Sequence, residues 1–120
     1  TDAVMDTPDI QARLEALATV LTQAERRADA LGKAGGSATL TEAASLAVFL
    51  LGRVRAGWNE SGLWSPQATA QVNAAEVEAI EDELYHRLRG VQRAAMLRAG
   101  RLEAGEARQL GEFCESLAMG

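Results

Sequence analysis

The sequence predicts an all-α fold, an antiparallel bundle of three or four helices with one long helix. The good helix formers Ala, Leu, Glu and Arg dominate the chain. Aromatic residues are only 4% and β-branched strand formers are scarce. Apolar residues also recur at helical spacing behind cap-like residues along most of the length. With 120 residues, the chain has the size of one domain with one core. Residues 1–120 therefore read as a single helical domain, with 1–6 a flexible N-terminal tail.

The first helix opens with Thr7 as N-cap, Pro8 at the first helical position and Asp9 against the positive end of the dipole. Ile10, Leu14, Leu17, Leu21, Ala24, Ala28 and Leu31 then recur at spacings of four and three, a heptad seam. Gly32 is the expected stop, and residues 33–38 a flexible connection. Thr39 and Glu42 form a capping-box pattern that starts a second helix, expected to reach Arg55 or Ala56. Its middle, Leu46 to Leu51, is apolar on nearly every side, as in a central helix or one covered by a partner.

Gly57 to Leu63 breaks the pattern, with Trp58 and Trp64 flanking the break and expected to pack across it. Ser65 as cap and Pro66 as first residue then predict a long third helix to Ala99, provided Gly90 does not interrupt it. At about 100° per residue, Val77, Ile80, Leu84, Leu88, Val91, Ala95 and Leu102 share one stripe. Gly100 and Gly105 punctuate the C-terminal part of the chain. Ala107, Leu110, Cys114 and Leu117, with Phe113 beside them, give a short fourth helix, in which Cys114 reads as a small core residue.

The net charge of −5 argues against nonspecific binding to nucleic acid or to anionic membrane, which both require basic surface. A lone cysteine makes no internal disulfide, and no Cys/His set has metal-ligand spacing, so neither a disulfide scaffold nor a structural zinc site is expected. The longest nearly apolar run, residues 43–51, is too short to span a bilayer, and Asp2 and Asp6 stand where a signal peptide would be basic. These features predict a cytoplasmic protein without a bound cofactor.

Charge switches along the third helix. Residues 76–83 hold five acids and no base, and residues 87–101 hold five arginines and no acid. This order suits the helix dipole, and Glu83 with Arg87 makes a favourable i, i+4 pair. Arg87 and Arg98 flank the core stripe while Arg89 and Arg93 point away from it, so the bases do not form the single face of a groove-reading helix.

His86 is the only histidine and falls opposite the core stripe. The string His86-Arg87-Leu88-Arg89-Gly90 resembles the motif of histidine-containing phosphotransfer domains, which are helical bundles of similar size. The resemblance implies that His86 carries a phosphoryl group, Arg89 helps neutralise it and Gly90 leaves room for a docking receiver domain. The chain departs from that family after Gly90, where Val91-Gln92-Arg93-Ala94-Ala95-Met96 replaces small polar residues and a further glycine.

Asp82-Glu83-Leu84-Tyr85-His86 in turn resembles part of the second acidic motif of the all-α nucleotide pyrophosphohydrolases, particularly the phosphoribosyl-ATP type. That resemblance implies Mg²⁺ held by Glu78, Glu81 and Asp82 together with carboxylates of a second helix. The chain has no Glu-Glu-x-x-Glu segment upstream, and Ala79 stands where a glutamate is expected.

The functional expectation is a non-catalytic helical interaction module: an adaptor, an assembly or export chaperone, or an accessory subunit. Its partner would be another protein or a second copy of itself. The expected contact residues are Leu14, Leu17 and Leu21 on the first seam and Val48, Phe49 and Leu50 on the second helix, because a thin, Ala-rich core leaves apolar surface to be covered. Phosphotransfer through His86, Arg89 and Gly90, and Mg²⁺-dependent nucleotide hydrolysis through Glu78, Glu81 and Asp82, are the alternatives.

Overall fold

The computed structural model describes residues 7–62 and 71–118. They form four helices and no strand: α1 (Thr7–Lys33), α2 (Ala38–Ser61), α3 (Ala74–Ala99) and α4 (Ala104–Ala118). The all-α bundle is therefore the fold. Consecutive helices run antiparallel. Arg55, late in α2, reaches back to Glu25 of α1, and Glu42, early in α2, lies 3.8 Å from Arg98 at the end of α3.

One face of each helix supplies the core. Ile10, Leu14, Leu17, Leu21, Ala24 and Ala28 of α1 are all buried, so the heptad seam is the inner face of that helix. On α3 the inner face is Val77, Leu84, Leu88, Val91, Ala95 and Ala99, and on α4 it is Leu110, Phe113, Cys114 and Leu117. Helix α2 is central, packing extensively against both α1 and α3 through Leu40, Ala43, Ala44, Ala47, Leu51, Val54 and Trp58. Its alanines let neighbours come close: a Cβ at Gly32 would sit 3.5 Å from that of Ala44. Side chains such as Leu21, Leu51 and Leu88, with no exposed surface, each contribute about 1.5–3 kcal/mol.

Two half-buried ion pairs fasten α1 to the other helices. Arg13 bridges to Glu81 of α3, with Nε donating to Oε2 at 3.3 Å and Nη2 to Oε1. Arg55 of α2 donates to Glu25 Oε1 at 3.1 and 2.5 Å and to Thr22 Oγ1 at 2.8 Å.

Several boundaries differ from those the sequence predicts. Helix α1 begins at Thr7 itself and passes through Gly32 to Lys33, because Gly35 and Gly36, at φ 76° and 142°, are the residues that turn the chain. The cap of α2 is Ser37, not Thr39. Its side chain accepts from the Leu40 N–H at 3.1 Å, and Glu42 pairs loosely with Arg98 instead of closing a box. Gly57 does not break α2, which continues to Ser61 and stops at Gly62 in the left-handed conformation (φ 68°).

Trp58 is therefore a core residue of α2 and not part of a loop. Its expected companion Trp64, the cap Ser65 and Pro66 lie outside the described residues. Helix α3 as described starts at Ala74, where Asn73 accepts from the Glu76 N–H and donates to its carboxylate, both at 2.9 Å. Gly90 leaves α3 unbroken. Gly105 lies within α4, Ala107 is exposed, and Ile80 and Leu102 are only half-buried at the edge of the core.

Candidate functional site

Burial separates the six expected contact residues into two groups. Leu14, Leu17 and Leu21 are covered by the chain's own helices, at 3%, 2% and 0% exposure, and offer nothing to a partner. The α1 seam is used in the internal core because α2, α3 and α4 all pack on this helix, so no surplus surface remains there. On α2 the outcome differs. Val48 and Phe49 stand in solvent, 42% and 60% exposed, while Leu50 turns inward and is half-buried.

Two further apolar side chains are exposed on α3: Met96, at 53%, and Leu97, at 77%. The sequence carried a signal for them, since about 100° per residue puts Leu97 nearly opposite Val77 and Ala95. Arg89, Gln92, Arg93, Met96 and Leu97 line one shallow surface hollow. Arg89 and Arg93 are exposed there with no ion-pair partner among the described residues.

His86 lies on this outer side of α3 and is exposed. Arg89 and Gly90 come one turn later, also exposed, and a side chain built at Gly90 would meet nothing within 4 Å. Arg87 is excluded from the group because its Nε donates to Glu83 Oε1 at 2.7 Å, the i, i+4 pair expected from spacing. A histidine, a cation three residues on and an open glycine four residues on thus share one accessible face.

The acidic candidates do not assemble. Glu81 is held by Arg13, and Glu78 and Asp82 are exposed beside it. Among the described residues, no three His, Cys, Asp or Glu side chains converge as metal ligands. The second helix that should complete such a centre places Val54, Gly57, Trp58 and Ser61 opposite Ala79 and Glu83. They enclose an apolar cleft of about 350 Å³.

Cys114 is buried, its Sγ 3.9 Å from the Gln92 carbonyl, and burial pushes its thiol above the ordinary range. That is the opposite of what a nucleophilic cysteine requires. No described helix is long and apolar enough to cross a membrane. Comparison with known protein families, with curated proteins and with solved structures finds no match to the chain.

Proposed function

We infer that the chain is a non-catalytic helical interaction module, an adaptor, chaperone or accessory subunit that presents helix faces to another protein or to a second copy of itself. The observation that supports this reading is the placement of Val48 and Phe49 on α2 and Met96 and Leu97 on α3. These are the large apolar side chains left in water among the described residues. A water-exposed phenylalanine on a regular helix adds nothing to the folded monomer and gains when a partner covers it. The scattered acids and the buried, protonated Cys114 favour no hydrolytic or thiol chemistry beside it. Co-purification from the native host, with the wild type beside Phe49→Asp and Leu97→Asp, tests the reading. A stoichiometric companion lost on substitution is expected, and a wild type that neither retains a companion nor self-associates overturns it.

The geometry around His86 favours a second reading, histidine phosphotransfer. His86, Arg89 and Gly90 lie on one exposed face of α3, as a docking receiver domain would require. Transfer of an acid-labile, base-stable phosphate from a phosphorylated receiver domain, abolished by His86→Ala, would establish it. Mg²⁺-dependent nucleotide hydrolysis has no comparable support, since among the described residues Glu78, Glu81 and Asp82 face no second set of carboxylates.

A further inference from the structure

The outer face of α2 has a sequence order that fits a second copy of itself. Ser45, Phe49, Gly52 and Ala56 are spaced by four, three and four residues, and all are exposed. This is a heptad seam on the side of the helix away from the core. Phe49 lies at the middle of α2, which spans 38–61, and its neighbours along the seam are small. One edge of the seam carries Glu42 and Arg53, and the other carries Val48. Arg53 has no ion-pair partner among the described residues. Glu42 has only the 3.8 Å contact with Arg98, in which both side chains are 60% exposed.

We propose that α2 pairs with α2 of a second copy, antiparallel about a two-fold axis close to residues 47–48. In that order each edge of the seam faces itself. Glu42 of one copy then stands opposite Arg53 of the other, twice per dimer. Val48 meets its own counterpart near the axis, and each Phe49 enters the space over the partner's small seam residues. A parallel pairing leaves Glu42 and Arg53 eleven residues apart along the axis, about 16 Å, and loses both charge contacts. The face is one helix wide, with Phe49 and Val48 its large apolar side chains, so the dimer is weak and its population depends on concentration.

The inference rests on the interaction-module reading and names its partner. Sedimentation equilibrium over a concentration series tests it, with circular dichroism verifying that each variant stays helical. The wild type is expected to pass from monomer to dimer as concentration rises, and Phe49→Asp to remain monomeric. Glu42→Arg alone and Arg53→Glu alone should each raise the dissociation constant several-fold, and the double exchange should restore it. A wild type that stays monomeric overturns the self-pairing and leaves the module reading to its own co-purification test. A dimer indifferent to Phe49→Asp removes α2 as the surface, and failure of the double exchange to restore pairing removes the antiparallel register.

Discussion

The carboxylate of Glu106, in the first turn of α4, accepts the backbone N–H of Ser37 at 2.8 Å while the Ser37 hydroxyl accepts that of Leu40. A capping box normally draws its acid from the same helix, three residues beyond the cap. Here that position is Leu40, and the acid arrives from 69 residues away. Gly36 makes the approach possible: its φ of 142° suits glycine, and a Cβ there would lie 2.7 Å from the same Glu106 oxygen.

Removing this contact should therefore be felt at both ends. Glu106→Ala is expected to lower stability by about 1.5–3 kcal/mol, the range for a hydrogen bond to a charged group, or about 4 °C in Tm per kcal/mol. Gly36→Ala should cost a similar amount through its backbone and through displacement of the carboxylate. Because the two act on one contact, thermal unfolding of the double variant should show less than the sum, and strict additivity would separate them.

Leu21 and Phe49 offer the sharpest contrast between inner and outer faces. Leu21→Ala should destabilise by about 2–5 kcal/mol, as buried leucine truncations do, and Phe49→Ser by under about 0.5 kcal/mol in dilute solution. Denaturant titration at low protein concentration measures both. Equal losses would show that Phe49 contributes to the folded monomer after all.

His86→Ala should leave the monomer unchanged within about 0.5 kcal/mol, since the ring lies in solvent. Incubation with a phosphorylated receiver domain should yield no phosphorylated product from the wild type under the module reading. Transfer dependent on His86 and weakened by Arg89→Ala would instead select the phosphotransfer reading.

Cys114 gives stability a pH dependence of known sign. The thiol ionises near its ordinary value, about 9, in the unfolded chain and higher in the folded one. Above that value the unfolded state releases a proton that the folded state keeps. Its contribution is therefore constant at neutral pH and is lost as pH rises through the interval between the two values. Cys114→Ala should flatten that alkaline decline. In the wild type, a thiol reagent should react only at the rate of opening, and immediate labelling would contradict the burial.

Periodicity made the inner faces readable: the positions from Ile10 to Ala28 and from Val77 to Ala95 needed only local spacing. The ends were less readable. Thr39-x-x-Glu42 and Asn73-x-x-Glu76 have the same local form of a polar cap and then an acid, yet only the second caps a helix. At the first site a contact from α4 favours Ser37, and no window of neighbouring residues contains that information. The outer faces were half readable for a related reason. Local spacing places Phe49 and Leu97 outside, but whether Leu14 and Leu17 are left over depends on how many helices pack on α1.

The distance in sequence between Ser37 and Glu106 sets an order of assembly. Helices α1 and α2 are neighbours along the chain and can pair as a hairpin as soon as both exist, yet the first turn of α2 then lacks one acceptor. That donor is satisfied only when α4, last of the four in chain order, docks against α1 and α3. The start of α2 is thus finished last, and amide exchange near Ser37 should report the docking of α4 more directly than any amide in the middle of the bundle.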